Sequence, residues 1–334
     1  MAQNPLGNKI FQDATKAREW LEKLLWADGR SCGYCGAVDE STEIGGRDGY
    51  YQCNACRKQF TVMVGTVFER SHIPLNKWLM AAFLLCASKK GISAHQMHRM
   101  LGITYKSAWF MMHRLREAMA PAGKRGPMGG EGRVIEADET YLGKRDGKPS
   151  MPDSFVSGFG WVSHPKIETQ RKIVALVERG GPARSFVVQN VDKETIRKVL
   201  FTNADRKSTL MTDEHMAYPA SGAHFADHQT VNHSEKEYAR GTTSTNTVEG
   251  YFSIFKRGMV GTYQHVSEAH LHRYLAEFDF RYSNRAALEI SDQIRTETAL
   301  QGIVASASHI GGLTKPRTLK QKANAFLRWR TTNL

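Results

Sequence analysis

Nowhere in its 334 residues does this chain hold an uninterrupted apolar stretch of the roughly 20 residues that cross a bilayer. The amino terminus, Met1 to Ile10, also lacks the apolar run of a secretory signal. Both absences point away from a membrane protein and toward the cytosol. Acidic residues are in short supply: 33 stand against 46 basic ones, a formal net charge of +13 that favours a polyanionic partner, nucleic acid first. Cysteine is scarce as well, with five in all, and four of these fall in two Cys-x-x-Cys pairs. In a reducing compartment that spacing points to a metal and not to disulfides.

The pairs are Cys32/Cys35 and Cys53/Cys56. Each can close a tight turn with two thiolates on one ion, and four thiolates complete a closed tetrahedral zinc site with no open position for chemistry. Turn signals at Gly45-Gly46 and Asp48-Gly49 lie beside strand-like runs at Tyr50-Tyr51-Gln52 and Gln59-Phe60-Thr61-Val62, the pattern of a zinc ribbon holding structural Zn²⁺. An amphipathic helix over 9–26 leads into it, and Cys86 belongs to a separate apolar run.

From Pro74 to Met119 the periodicity predicts three helices: Leu75 to Ala87, a second opened by Ser93 as N-cap and ending at Leu101, and Tyr105 to Met119. Gly102-Ile103-Thr104 forms the turn before the third helix, which offers Lys106, His113, Arg114 and Arg116 to phosphates. A helix, a glycine-containing turn and a basic helix match helix-turn-helix organisation. Pro121 to Gly132, rich in Gly, Pro and basic residues, reads as a linker.

A new domain is expected after it. Val134 to Leu142 is strand-like, with Val134, Glu136 and Asp138 on one side, so that either Asp138 or Glu139 faces a site while the other meets solvent. Further strands are expected at Phe155 to Val162, Ile173 to Val177, Phe186 to Val188, Ser208 to Asp213 and His228 to Ser234, with a helix over Asp192 to Asn203 capped by Asp192. Asp138 and Asp213 each end an apolar run, and carboxylates at strand ends suit the sites of α/β folds. A helix follows from Asn246, with Val248, Phe252, Phe255 and Met259 on its core face and Asn246, Glu249 and Lys256 sharing another side. Asn246-x-x-Glu249 also has the spacing of a capping box.

Three carboxylates from two strands and a helix are hard oxygen ligands suited to Mg²⁺ or Mn²⁺ in phosphoryl transfer. The reading is an enzyme that cuts and joins nucleic-acid strands. Two other classes stay open: a DNA-binding regulator that uses the amino-terminal modules without the acidic triad, and a metal-dependent nuclease that never joins the cut end. His270-Leu271-His272 before Tyr274 matches a rolling-circle nuclease signature, but those histidines belong on a strand and this segment, part of a long helix over His265 to Arg285, has helical period. The tail from Thr314 to Leu334 carries Lys315, Arg317, Lys320, Lys322, Arg328 and Arg330 with no acidic residue.

With Ala137-Asp138-Glu139-Thr140-Tyr141, Thr212-Asp213-Glu214, Asn232-His233-Ser234, Thr245 to Glu249 with Lys256-Arg257-Gly258, Gly261 to His265 and Glu277 to Tyr282, the chain resembles the bacterial insertion-sequence transposases of the 1595 type, with an ISXO2-like DDE domain. The resemblance implies a multidomain chain: helix and four-cysteine zinc ribbon over 1–70, a helix-turn-helix region over 71–120, a linker over 121–132, an α/β ribonuclease-H-like catalytic domain with a mixed sheet over 133–290, and a basic tail over 291–334. It also implies a DDE triad of Asp138, Asp213 and Glu249 holding two Mg²⁺ or Mn²⁺ ions, with Asn246 a rival for the third position and Lys256 as the basic partner. The partners implied are double-stranded DNA, both terminal inverted repeats and target, touched by Lys106, Arg114, Arg116 and Arg257, and a second copy of the chain to pair two ends. The setting implied is the bacterial cytoplasm and its nucleoid.

Overall fold

A computed structural model of the chain describes residues 5–121, 125–144, 154–156, 160–162, 170–231, 239–240 and 243–306. The chain divides into two compact units, Met1–Gly123 with Ile290–Leu334, and Lys124–Glu289.

In the first unit a short 3-10 turn at Lys9–Phe11 precedes α1 (Ala14–Leu25). The single amphipathic helix expected over 9–26 is interrupted because Asp13 caps α1, its carboxylate accepting the amides of Thr15 and Lys16. Strands β1 (Ser41–Glu43), β2 (Tyr51–Cys53) and β3 (Gln59–Phe60) form an antiparallel ribbon, with Trp26, Tyr51 and Phe60 packed ring to ring beneath it. Helices α2 (Leu75–Ala87), α3 (Ala94–Leu101) and α4 (Tyr105–Met119) follow the predicted bounds. Ser93 caps α3 and Thr104 caps α4. Between them Gly102 takes the left-handed conformation (φ 58°) and ends α3 without strain.

The second unit is built on a mixed sheet. Strands β4 (Val134–Lys144), β7 (Gln170–Glu178) and β8 (Ala183–Val188) form an antiparallel meander, with a small hairpin of β5 (Ser154–Val156) and β6 (Gly160–Val162) between the first two. After α5 (Lys193–Asn203) the chain adds β9 (Thr209–Asp213) parallel to β4. After α6 (Pro219–Gly222) it adds β10 (Asp227–Val231) parallel to β9, giving the order β10-β9-β4-β7-β8. A two-strand ribbon, β11 (Ala239–Arg240) and β12 (Thr243–Ser244), leads into α7 (Asn246–Gly258). One π turn over Met259–Tyr263 separates α7 from α8 (Glu268–Ser283).

Alternation along the strands divides the core into two layers. Ile173, Ala175 and Val177 meet α7 and α8 through Val248, Phe252, Phe255, Leu271 and Phe278. Ile135, Ala137, Val174 and Leu176 meet α5 and α6 through Ile196, Leu200 and Tyr218. Covered on both faces, β7 reads as a continuous apolar run and not as an alternating one. The mixed sheet and its flanking helices fit the ribonuclease-H-like domain expected.

Two expected boundaries move. The segment read as a linker over 121–132 belongs to the second unit from Met128 on: Met128 is buried and its amide donates to Asn203 O at 2.7 Å. Gly129 sits at φ +85°, where a Cβ would lie 2.1 Å from Ser208 Oγ, so this close approach requires glycine. The start of the expected basic tail is helical. α9 (Asp292–Gln301) packs on α2 and α4, and α10 (Ile303–Ser306) packs on α4. Arg295 of α9 is buried and donates to Cys86 O at 2.9 Å, and Gly302 lies so close to Ala118 O that a Cβ would come within 2.2 Å. The tail cations from Lys315 to Arg330 and the Asn232-His233-Ser234 motif lie outside the described residues.

Candidate active site and zinc ribbon

Strand register brings the two aspartates together. The last registered pair of the parallel strands β4 and β9 is Ala137 with Thr212, and Asp138 and Asp213 are the next residues on each. Neighbouring strands lie about 4.8 Å apart, so these carboxylates leave adjacent strands at the same level. Asp138 shares its side of β4 with Glu136, the side covered by α7, and α7 carries Glu249 in its first turn.

The charges register this proximity. Burial first, then Asp213, with Glu139 and Glu249 adding to it, push the Asp138 carboxyl up to about 7, against the pull of the Glu139 amide that donates to its Oδ1 at 2.7 Å. A group held this way gains from a divalent cation, which replaces repulsion among carboxylates with attraction. The donor set is right for Mg²⁺ or Mn²⁺: hard oxygens, several negative charges and partial exposure. It is looser than the zinc ribbon, because among the described residues only the four cysteines have ligand atoms all within 4.8 Å of one another.

Glu139 does not meet solvent, contrary to what alternation alone implies. Its side chain is 7% exposed on the opposite sheet face, accepts from the buried Tyr218 hydroxyl at 2.8 Å and stands 3.8 Å from His215. Both neighbours of the strand end are therefore occupied, Asp138 toward α7 and Glu139 toward α6.

Glu136 is the residue that sequence reasoning passed over. It is fully buried, and its carboxylate accepts the amides of Thr247 (2.7 Å) and Val248 (3.0 Å), the Thr247 hydroxyl (2.8 Å) and Arg179 Nε (2.5 Å). Arg179 in turn donates to Ser244 O (2.9 Å) and Oγ (2.8 Å), just before the helix. The unpaired amides and positive end of α7 are thus capped by a carboxylate from the strand bearing Asp138. This clamp sets the height at which Glu249 stands. The signal was available in principle, since a glutamate inside a central apolar strand must find a partner.

The capping box expected from Asn246 and Glu249 does not form, because Asn246 is the first helical residue and Thr245 is the N-cap. Glu249 Oε1 accepts from the Thr245 hydroxyl at 2.7 Å, and Asn246 is exposed. Lys256 follows Glu249 by seven residues, two turns and about 10.5 Å along one face, and is exposed. Arg257 is exposed beside it, with its guanidinium on Ser253 O (3.1 Å) and Oγ (2.9 Å) of its own helix.

Beneath α7, Asp279 of α8 accepts from Tyr251 Oη (2.6 Å), Ser185 N (2.9 Å) and Ser185 Oγ (2.8 Å), and burial pushes its carboxyl up to about 6. His270 and His272 lie on α8, where residues two apart diverge around the axis, so the rolling-circle arrangement is absent.

In the ribbon, Cys32 Sγ lies 3.8 Å from Cys56 Sγ and Cys35 Sγ lies 3.6 Å from Cys53 Sγ. A tetrahedron with Zn–S bonds of about 2.3 Å has edges of about 3.8 Å, so the four sulfurs stand where structural zinc needs them.

Of the cations assigned to DNA, Lys106 is exposed at the start of α4. Arg116 is closed off from phosphates, and Arg114 is half-buried with its guanidinium turned toward the backbone. Arg116 is 2% exposed, and Arg114 donates to Val67 O (3.1 Å) and Glu69 O (3.0 Å). His113 is buried too. The cause is that α4 turns inward: from Met111 to Met119 every residue except Arg114 and Glu117 is buried. No described helix is long and apolar enough to cross a membrane.

Comparison with known proteins follows this division. The model of the ISXO2-like transposase domain matches residues 129–283, and that of the transposase zinc-ribbon domain matches residues 13–59. A protein described as an uncharacterized protein in transposable element ISH50 of Halobacterium salinarum is 27% identical over 286 residues, 82% of this chain and 92% of its own length. Among solved structures, a pre-cleavage Mos1 transpososome aligns over 67% of this chain and 75% of its own at 8% identity and a TM-score of 0.26. The Mos1 transposase paired-end complex with left transposon end aligns over 69% and 76% at 9% identity and a TM-score of 0.27, likenesses too distant to inform the geometry. By its catalytic domain and its ribbon together, this chain belongs to the insertion-sequence transposases of the IS1595 type.

Proposed function

We propose that the chain binds the terminal inverted repeats of an insertion sequence, cleaves the DNA at the element end and transfers the freed 3′-OH to target DNA. The observation that carries this reading is the placement of Asp138 and Asp213 at the same level on adjacent parallel strands, under a helix that carries Glu249.

Asp138, Asp213 and Glu249 would hold two Mg²⁺ or Mn²⁺ ions, which supply charge neutralisation at the scissile phosphate and lower the pKa of a bound water or hydroxyl. Glu249 is favoured over Asn246 because its negative charge is felt at Asp138, where it helps to raise the carboxyl, while Asn246 is exposed at the helix start. Glu136 and Arg179 fix the helix start, so the third carboxylate keeps its distance from the strand ends. Lys256, two turns along the same face, contacts a phosphate of the strand being cut, with Arg257 beside it. The α3–Gly102–α4 segment acts as a helix-turn-helix: an eight-residue helix, a left-handed glycine and a second helix whose exposed start carries Lys106. From Ser71 to Arg116 there is no acidic residue, which suits a surface that tracks phosphates. Joining two ends in one reaction calls for at least two copies of the chain.

The test is a strand-transfer assay with purified protein, labelled element-end DNA and target plasmid. Joined product that requires Mg²⁺ and vanishes with Asp213→Asn and Glu249→Gln is expected. Loss with Asn246→Ala but not with Glu249→Gln moves the third ligand to Asn246. Cleavage without joining reduces the reading to a nuclease, and specific binding without either reduces it to a regulator.

A further inference from the structure

The exposed part of α4 is its first turn and a half, and its chemistry is largely apolar. Tyr105 is 44% and Phe110 50% exposed, with Lys106 between them in the sequence. Tyr105 is stacked on the His95 ring of α3 (4.3 Å between centroids, 27°), and Phe110 meets Trp109 edge-on at 5.0 Å. These contacts hold both aromatics in fixed orientations while leaving faces open. A phenylalanine half in water has nothing to offer a phosphate. In the major groove, the one apolar group on any base edge is the 5-methyl of thymine.

A second copy of the chain could also cover an aromatic patch. An isologous contact would then bring two acid-free, cation-bearing surfaces together, with Arg99 and Lys106 exposed on each, and like charges oppose it. The same charges attract a duplex. We propose that Phe110 is a specificity residue that reads a thymine 5-methyl group in the element end, with Lys106 contacting an adjacent phosphate or guanine edge. This inference rests on the reading of α3–α4 as the DNA-contacting helices.

The test uses the full chain. A duplex site is first selected from a random library by the wild-type protein. Each thymine in it is then replaced by deoxyuridine, which removes only the methyl, and affinity is measured by fluorescence anisotropy for wild type and Phe110→Ala. Because Phe110 is exposed, this variant keeps the fold, which circular dichroism checks. The expected result is a loss of about three- to tenfold in wild type at one or two thymines, as deletion of a buried methyl implies, and less than about twofold at the same positions in Phe110→Ala. Wild-type binding that is indifferent to every uracil, or a variant that keeps full sensitivity, overturns the proposal while leaving α3–α4 as a DNA surface. If the wild type selects no site at all, the helix-turn-helix reading fails and this inference falls with it. A variant with unchanged DNA selectivity but a smaller assembly by sedimentation would identify Phe110 as a contact between copies, which also overturns it.

Discussion

The ribbon gathers four sulfurs at the spacing of a zinc site and the acidic cluster is proposed to gather oxygens for a divalent cation, and the two are built on opposite plans. The four sulfurs of the ribbon come from two tight turns, converge within 4.8 Å and sit at the spacing of a tetrahedron. The carboxylates come from β4, β9 and α7, do not converge to that degree and repel one another, which together with burial holds the Asp138 carboxyl up at about 7. A closed shell of soft ligands stabilises a fold. An open shell of mutually repelling oxygens leaves room for phosphate and costs the protein stability that a cation restores.

The largest effect should come from the ribbon. Cys53→Ser or strong chelation should unfold residues of the ribbon outright, since structural zinc contributes roughly 10–16 kcal/mol in small zinc domains. Zinc content and amide protection by NMR check this, and a ribbon that keeps its protection without metal would erase the contrast.

Asp213→Asn should do the reverse: cleavage falls on the order of 10³-fold or more, about 4 kcal/mol or more of barrier, while the melting temperature holds or rises. A calorimetric scan of the metal-free variant beside its cleavage rate separates the two.

Glu136→Ala should cost roughly 2–4 kcal/mol in urea denaturation, because it strips the cap from α7 and leaves Arg179 without its carboxylate. Glu136→Gln, whose carbonyl oxygen still accepts, should cost less. If it also raises the Mg²⁺ concentration for half-maximal cleavage, the clamp positions Glu249 for the metal.

The smallest effect is a pH dependence. The Asp138 carboxyl is raised from its ordinary 3.8 to about 7, so the folded state binds this proton more tightly than the unfolded chain. Metal-free stability from this group is therefore full below about pH 4 and declines as pH rises through 7, by roughly 1–3 kcal/mol. Asp138→Asn should flatten that slope. Metal binding needs the ionised form, so Mg²⁺ affinity should climb with pH over the same range. Urea titrations with and without Mg²⁺ at several pH values would show the two trends crossing.

Legibility followed distance along the chain. The zinc ligands and helices α2 to α4 could be read because short spacings, apolar periods and caps such as Ser93 specify them locally. Asp138, Asp213 and Glu249 could be named from strand ends and a helix face. That they meet depends on β4 and β9 being parallel neighbours, which no local pattern encodes. The need of Glu136 for a partner could be read from its place in an apolar strand, but Arg179 and the start of α7 could not be named as that partner, since the three lie on β4, at the end of β7 and at the start of α7. Arg116 looked like a phosphate contact because a basic residue on a helix has no local mark of burial. It took the covering elements, α9 and α10 among them, to show which side of α4 is closed.

Those last two helices have a consequence for synthesis. Residues before 124 cannot complete their core until α9 and α10 have left the ribosome, after the whole catalytic unit has been made. Asp138 likewise waits for β9 and then for α7, pairings of high sequence separation that form late in folding. If α3–α4 contact DNA and the three carboxylates act together as proposed, a chain released early lacks both a finished DNA-contacting unit and an assembled triad. Prematurely terminated products would not occupy element ends as inactive competitors, and each copy that binds DNA would be one that carries its catalytic centre.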